Sequence, residues 1–327
     1  MVLIVELLLL FKSNFYVFFL IINFLIINFL IINFLVVISL LMIINHNYRD
    51  IMRDIIEYMI KEDCGFGDIT SNTLIPVDKI FEARLKSKED GVLAGIEIIK
   101  NLVSDYGIDI ISSMNDGDKI KKGDLLLEIK GNARTILLLE RTMLNLLMRM
   151  SGVATATNNV VEKVKKINPN IRVAGTRKTS PALQKFDKVA ISIGGGDTHR
   201  FALDDMVLIK DNHIAVVGSV KEALLLAKSK VSFSKKIEIE VENLSDALIA
   251  CENGADIVML DNMGPSEVIE VLTVLDDKNL RNNILIEVSG GINEDNILDY
   301  AKCDVDIISL GSLTHSTPSL NFSLDMD

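Results

Sequence analysis

The sequence predicts an α/β protein built on parallel strands, and three observations carry that expectation. Beyond residue 170, short β-branched apolar runs alternate with stretches of helical periodicity, as strands joined by crossover helices do. Each of those runs ends in a charged residue or a glycine pair. Ahead of them, residues 80–130 hold shorter strands and turns around one helical segment near 96–105. A length of 327 residues is enough for two domains.

The first 47 residues stand apart. From Ser13 to Asn47 there is no Asp, Glu, Lys or Arg, and FLIINFLIINFLIINFL repeats a unit with Asn23, Asn28 and Asn33 equally spaced. The length would span a bilayer. A five-residue period, however, advances about 140° per unit on a helix, which spreads the asparagines around it and turns unpartnered amides to lipid. No small-residue cleavage site follows, which argues against a cleaved signal peptide. Two readings stand: a real N-terminal anchor, or a tandem repeat upstream of the true start, translated by mistake. The second is favoured, with Met52 as the natural start.

From there the elements follow in order. Residues 53–62 place charged and apolar groups at helical spacing. GFGDITSNTLIP reads as a glycine-rich loop. NDGDKIKKGDLLLEIKGN is dense in turn residues between apolar runs. Residues 133–166 read as a long helical stretch with an expected break near Ser151-Gly152. Strands are expected at 172–177, 206–210, 236–240, 256–261, 284–288 and 305–310, with helices at 218–230, 244–253, 264–275 and 293–301. Such a set can close toward a barrel or lie as an open doubly wound sheet.

A formal charge of −11 argues against nucleic acid as the main partner. Cys64, Cys251 and Cys303 form no CxxC pair, which fits a reducing compartment and offers no disulfide frame. Yet residues 175–213 collect Arg177, Lys178, Lys185, Lys188, Arg200 and Lys210, with His199 and His213, around three consecutive glycines at 194–196.

The strand ends explain this local excess of cations. VAGTRK ends in Arg177 and Lys178, MVLIK in Lys210, IEIE in Glu240 and DIVMLD in Asp261. LIEVSGG ends in Ser289, Gly290 and Gly291, and IISLGS in Gly311 and Ser312. Taken singly, Lys210 or Asp261 reads as a solvated strand end. Glu240 reads as a surface group, with Glu238 or Glu242 free to point to solvent. In a β/α barrel, however, these ends converge on the face where active sites lie. Together they describe a polyanion site: cations for negative groups, glycine turns to cradle a phosphate, and two carboxylates, Glu240 and Asp261, for Mg²⁺.

The motifs EDCGFGDIT, ERTMLNLL, SGVAT, GTRKTSPALQKFDKVAISIGGGDTHRFALDD, IKDNHI, EIEVENL, LDNM, VSGGI and SLGSLTHS occur in that order. From about Arg53 to the C-terminus the chain thereby resembles the quinolinate phosphoribosyltransferase family, also called nicotinate-nucleotide pyrophosphorylase (carboxylating). The resemblance implies an N-terminal α/β sandwich domain, 48–150, joined to an incomplete, open α/β barrel, 151–312, with residues 313–327 returning to the first domain. Residues 1–47 stay outside it. It implies a homo-oligomer, dimeric or larger, with active sites shared between subunits, and a place in cytoplasmic de novo NAD biosynthesis. The reaction implied joins quinolinate to phosphoribosyl pyrophosphate and yields nicotinate mononucleotide, pyrophosphate and CO₂.

By the same resemblance, Arg177, His199 and Arg200 hold the quinolinate carboxylates, with Arg141 reaching in from the partner subunit. Lys178 and Lys210 sit by a carboxylate and the leaving pyrophosphate. Glu240 and Asp261 act through Mg²⁺ and the ribose hydroxyls. The backbone at Ser289, Gly290, Gly291, Gly311 and Ser312 holds the 5′-phosphate. His213 and His315 take supporting roles, and the glycines at 194–196 form a tight turn that positions His199 and Arg200. Two rival readings are a related phosphoribosyltransferase-like protein of molybdenum-transport operons and a membrane-tethered, non-catalytic binder. IKDNHI fits the quinolinate enzyme better than the first. Glu240 and Asp261 argue against the second, since a pure binder has no need of metal carboxylates. A membrane partner is expected only if the N-terminal segment is real.

Overall fold

The computed structural model describes residues 51–326; the hydrophobic head at 1–47, and the start-site reading attached to it, lie outside them. The chain divides into two compact units, Met1–Tyr58 and Met59–Asp327. Of the first, residues 51–58 are described and are helical. Helical structure, α1, is assigned over 51–64. Among the described residues no helix is long and apolar enough to cross a membrane. All that follows concerns the second unit.

The expected glycine-rich loop is partly helical. α2 spans Ile69–Leu74, and the Asp68 carboxylate accepts the Ser71 N–H at 3.0 Å. That cap satisfies an amide the first turn would otherwise leave unpaired, and Pro76 follows shortly after the run ends.

Four antiparallel strands form the first sheet. β1 (Ile80–Ser87), β3 (Asp109–Ser113), β5 (Leu125–Asn132) and β12 (Phe322–Asp325) lie in the order β12-β1-β5-β3. The last strand of the chain thus pairs with the first, Phe322 opposite Ser87 and Asp325 opposite Arg84. β2 (Gly91–Val92) and β4 (Lys119–Ile120) make a small separate ribbon, and α3 spans Ile96–Asp105.

α4 runs unbroken from Ala133 to Lys165, so the break expected near Ser151-Gly152 is absent. Asn132 caps it by accepting the N–H groups of Arg134 and Thr135 at 3.0 and 3.2 Å. The two residues that suggested a break serve tertiary contacts instead. Ser151 Oγ accepts the Ala94 N–H at 3.0 Å, so its hydroxyl does not compete with the helix. A Cβ on Gly152 would stand 2.2 Å from the Pro318 carbonyl oxygen. The glycine is there to let the returning chain pass.

The second sheet is parallel and six-stranded. β6 (Arg172–Ala174), β7 (Val207–Ile209), β8 (Ile237–Val241), β9 (Ile257–Asp261), β10 (Leu285–Ser289) and β11 (Ile307–Ser309) lie in the order β6-β11-β10-β9-β8-β7. All five pairings are parallel. β6 and β7 are its two edges, so the sheet is open, as the incomplete barrel requires. The expected crossover helices are α7 (Val220–Lys230), α8 (Leu244–Glu252), α9 (Pro265–Asp277) and α10 (Ile297–Ala301). α5 (Gln184–Ile193), α6 (Asp211–Val217) and α11 (Ser312–His315) were not expected. α5 escapes a reading of periodicity because Asp187 and Lys188, though charged, are fully buried in it. Their polarity breaks the apolar pattern by which a core-facing stripe is recognised.

Alternation along the strands sorts the side chains. Ile239, Val258, Ile286 and Ile308 enter the main core with the covering helices. On the other face, Ala174, Ile257 and Ile307 form a smaller cluster with Met206, and polar side chains lie further along the strands.

Candidate active site

The C-terminal ends of the parallel strands surround a cavity of about 270 Å³. Its lining includes Arg177, Lys178, His199, Arg200 and Lys210, the carboxylates of Glu240, Asp261 and Glu287, and the hydroxyls of Ser289 and Ser309. An acidic protein thereby holds its cations where strand ends meet, and a low-dielectric pocket strengthens their field.

Lys210 Nζ forms an ion pair with Glu240 Oε2. The backbone N–H of Lys210 donates to Nδ1 of His213 at 2.9 Å, which fixes the entry to α6. Burial raises the Asp261 carboxyl above the usual range, and the charge and hydrogen bond of Glu240 raise it further. Two carboxylates in contact disfavour double ionisation unless a proton or cation lies between them. Hard oxygen donors on adjacent strands suit Mg²⁺, so the residues present fit that ion.

Arg200 is nearly buried. Burial lowers its guanidinium from the ordinary value, and the like charge of Arg177 adds to this. Two arginines crowded together favour an anion at that place.

The turn that delivers Arg200 is held from several sides. His199 adopts a left-handed backbone with φ 53°, and its N–H donates to Asp197 Oδ1 at 2.8 Å. The Thr198 carbonyl accepts from Lys188 Nζ, and burial lowers that amine to about 8. The His199 ring stands 3.3 Å by Nε2 from both Glu238 Oε2 and Glu287 Oε2. Its Nδ1 accepts the Arg200 N–H at 2.8 Å. Burial by itself would lower the imidazole, but the contact with Glu287 and the charges of Glu238 and Glu287 raise it. Burial first, and then the charge of Glu287, raise the Glu238 carboxyl as well. Because Nδ1 accepts the Arg200 N–H, the ring's own hydrogen lies on Nε2, on the side of the carboxylates.

The glycine turns lie next to the cavity. Gly290 and Gly291 have φ 84° and 62°, and a Cβ on Gly290 would be 2.4 Å from Asn262 Oδ1. Gly311 precedes Ser312 at the start of α11, and a Cβ there would be 3.1 Å from Lys178 Cδ. Of the expected phosphate-holding residues, Ser289 lines the cavity itself. Arg141 does not. It lines a separate pocket of about 370 Å³ with Glu62, Asp63, Asn145 and Arg149.

Sequence reasoning missed Glu287 and Ser309, and it gave Glu238 a solvent-facing alternative that the structure overturns. Glu238 and Glu287 have no exposed surface. The signal was present: in IEIE, Glu238 shares the parity of Glu240, and in LIEVSGG, Glu287 shares that of Ser289. Strand alternation puts each pair on one face.

Comparison with known proteins decides the kinship. The quinolinate phosphoribosyl transferase C-terminal domain matches residues 153–325, and the N-terminal domain of the same family matches 68–151. The chain belongs to the quinolinate phosphoribosyl transferase family. Within this family, a probable nicotinate-nucleotide pyrophosphorylase (carboxylating) of Methanocaldococcus jannaschii is 52% identical over 280 residues, covering 85% of this chain and 98% of the relative. The Homo sapiens nicotinate-nucleotide pyrophosphorylase (carboxylating) is 34% identical over 272 residues, covering 83% and 90%. The solved structure of the nicotinate-nucleotide pyrophosphorylase from Francisella tularensis aligns with a TM-score of 0.78 at 33% identity, covering 85% of this chain and 97% of that one.

Proposed function

We propose that this enzyme transfers phosphoribosyl from phosphoribosyl pyrophosphate to quinolinate with decarboxylation, releasing nicotinate mononucleotide, pyrophosphate and CO₂ in NAD biosynthesis. The observation that carries the reading is the convergence of Arg177, Lys178, Arg200 and Lys210 with Glu240 and Asp261 in one strand-end cavity, in a chain that matches both domains of the family.

Quinolinate is a dianion, and it loses hydration on entering a cavity. Arg177 and Arg200 replace that hydration with planar forks that pair bidentately with carboxylate. Lys178 and Lys210 stand beside the departing pyrophosphate and stabilise the charge it develops. The turns at Ser289-Gly290-Gly291 and Gly311-Ser312 offer backbone N–H groups to the 5′-phosphate. Glu240 and Asp261 would hold Mg²⁺, which when bound supplies positive charge to the pyrophosphate and ribose oxygens. No side chain acts as a nucleophile: the pyridine nitrogen attacks the anomeric carbon as pyrophosphate leaves. The pyridinium nitrogen then stabilises the electron pair left on the adjacent carbon when CO₂ departs, and that carbon takes up a proton.

Arg141 lines a different pocket from this cavity within one chain, which supports a homo-oligomer in which it completes the site of a neighbouring copy. The free thiols Cys64, Cys251 and Cys303 suit the reducing cytoplasm.

The test incubates the purified protein with phosphoribosyl pyrophosphate, Mg²⁺ and either quinolinate or nicotinate. Nicotinate lacks the 2-carboxylate and leaves a cavity cation such as the nearly buried Arg200 without its partner, a handicap on the order of ten- to a hundredfold. Nicotinate mononucleotide and CO₂ are expected with quinolinate and not with nicotinate, and chelation of the metal should stop the reaction. Equal turnover of nicotinate, or none of quinolinate by folded protein, rejects the assignment.

A further inference from the structure

We propose that Glu238 and Glu287 are positioning residues: acting together through the His199 ring, they fix the backbone turn that presents Arg200 to the substrate carboxylate. The kinetic part of this inference rests on the quinolinate reading above, and its structural part does not.

The geometry forms a chain of contacts. Glu238 and Glu287 rise from β8 and β10, on either side of β9, and both are fully buried. Burying two carboxylates is costly unless they meet a donor. Yet both oxygens of Glu238 and Oε1 of Glu287 lack a hydrogen-bond partner. The polar group that reaches them is His199 Nε2, at 3.3 Å from one oxygen of each. Nε2 is hydrogen-bonded to Glu287 Oε2 and stands within ion-pair range of Glu238 Oε2, so both buried acids bear on the orientation of the ring. Its other nitrogen then receives the Arg200 N–H at 2.8 Å. The adjoining backbone is tied on both sides, at the Thr198 carbonyl by buried Lys188 and at the His199 N–H by Asp197.

The consequence concerns His199 itself. Both ring nitrogens are engaged, so neither is left to pair a substrate carboxylate. On this proposal Arg200, expected beside His199 at the carboxylates and likewise lining the cavity, makes the direct contact. His199 transmits the orientation. Its left-handed backbone, φ 53°, is a conformation that persists when the surroundings impose it. Here the surroundings are the buried carboxylates.

The experiment has a structural and a kinetic arm. In ¹⁵N-labelled native protein near neutral pH, the His199 resonances, identified by their loss in His199→Asn, should show a protonated Nε2 and a bare Nδ1. A proton on Nδ1 overturns the proposal. In the kinetic arm, Glu287→Met should raise KM for quinolinate about 10- to 100-fold, with KM for phosphoribosyl pyrophosphate little changed. Glu287→Gln keeps a carbonyl acceptor and should restore most of the loss. Adding Glu287→Met to His199→Asn should bring no further loss, because both act through one ring. Equal rises in both KM values with a parallel loss of thermal stability, or additive effects in the His199→Asn background, overturn it. A stoichiometric divalent ion bound by His199, Glu238 and Glu287 would do so as well. If the variants do not fold, the ring resonances of the native protein still decide. If native protein turns over no quinolinate, the proposed function falls while the tautomer remains readable.

Discussion

Arg149 and Asp187 meet as a fork, Nε to Oδ1 at 3.0 Å and Nη2 to Oδ2 at 2.9 Å, with the aspartate fully buried. The pair ties α4 to α5, the helix that leads into the glycine turn and then Arg200. Arg149 also donates to the Thr314 carbonyl. Burial raises the Asp187 carboxyl, and the Arg149 hydrogen bond and charge oppose that rise. Arg149→Met therefore leaves a buried carboxylate unpaired and should destabilise the fold by about 3–5 kcal/mol. Arg149→Met combined with Asp187→Leu should lose less than the single change. Urea unfolding of the three proteins checks this, and strictly additive losses would contradict it.

Gly152 is a packing position. Gly152→Ala places a Cβ against the Pro318 carbonyl, so either α4 or the returning chain must shift. A loss of about 1–3 kcal/mol is expected, with faster proteolysis of the segment leading into β12. Wild-type stability in this variant would show that the contact is not rigid.

Lys188 gives a pH dependence with a defined sign. Its amine is lowered to about 8 in the fold from an ordinary 10.5. Between these values the unfolded chain binds the extra proton, so this group's contribution rises with pH. Its penalty is full below about 8 and gone above 10.5. Relative to Lys188→Met, the native protein should gain up to about 1.4 kcal/mol per pH unit across that window. Denaturation of both proteins at several pH values across that range measures it, and a constant difference would refute it.

Lys210 and Arg141 test the site and its sharing. Lys210→Ala removes a cation of the strand-end cavity, proposed to stand beside the leaving group, and should lower kcat about 100- to 1000-fold. Arg141→Ala should also be inactive, though its side chain lies outside the strand-end cavity. If, as proposed, sites are shared between two copies, mixing the two variants should restore partial activity, because one site of each mixed dimer then keeps both residues. No recovery after verified subunit exchange would place Arg141 outside the reaction.

Much of the fold was legible because it is written locally. The six parallel strands follow from β-branched runs with helical stretches between most of them, and each observed strand falls within or close to its expected range. Lys210, Glu240 and Asp261 were found because a charge closing an apolar run marks a strand end, and strand ends share one face in this architecture. α2 and α5 were not legible. In α2 a single side-chain cap outweighed a glycine-rich composition, and in α5 the buried Asp187 and Lys188 obscured the apolar face.

The sequence by itself determined the class of the fold, the cationic strand ends and the two carboxylates at its mouth, since periodicity and chain order are properties of neighbouring residues. Only the tertiary structure decided what depends on segments far apart in the chain. Gly152 packs against Pro318 rather than breaking α4, and β12 closes the sheet on β1. Arg141 lies apart from Arg177, while Glu238 and Glu287 converge on His199. The physical reason is the same in each case. A glycine, a carboxylate or an imidazole has several roles open to it in isolation, and the one it takes is selected by which distant atom occupies the space beside it.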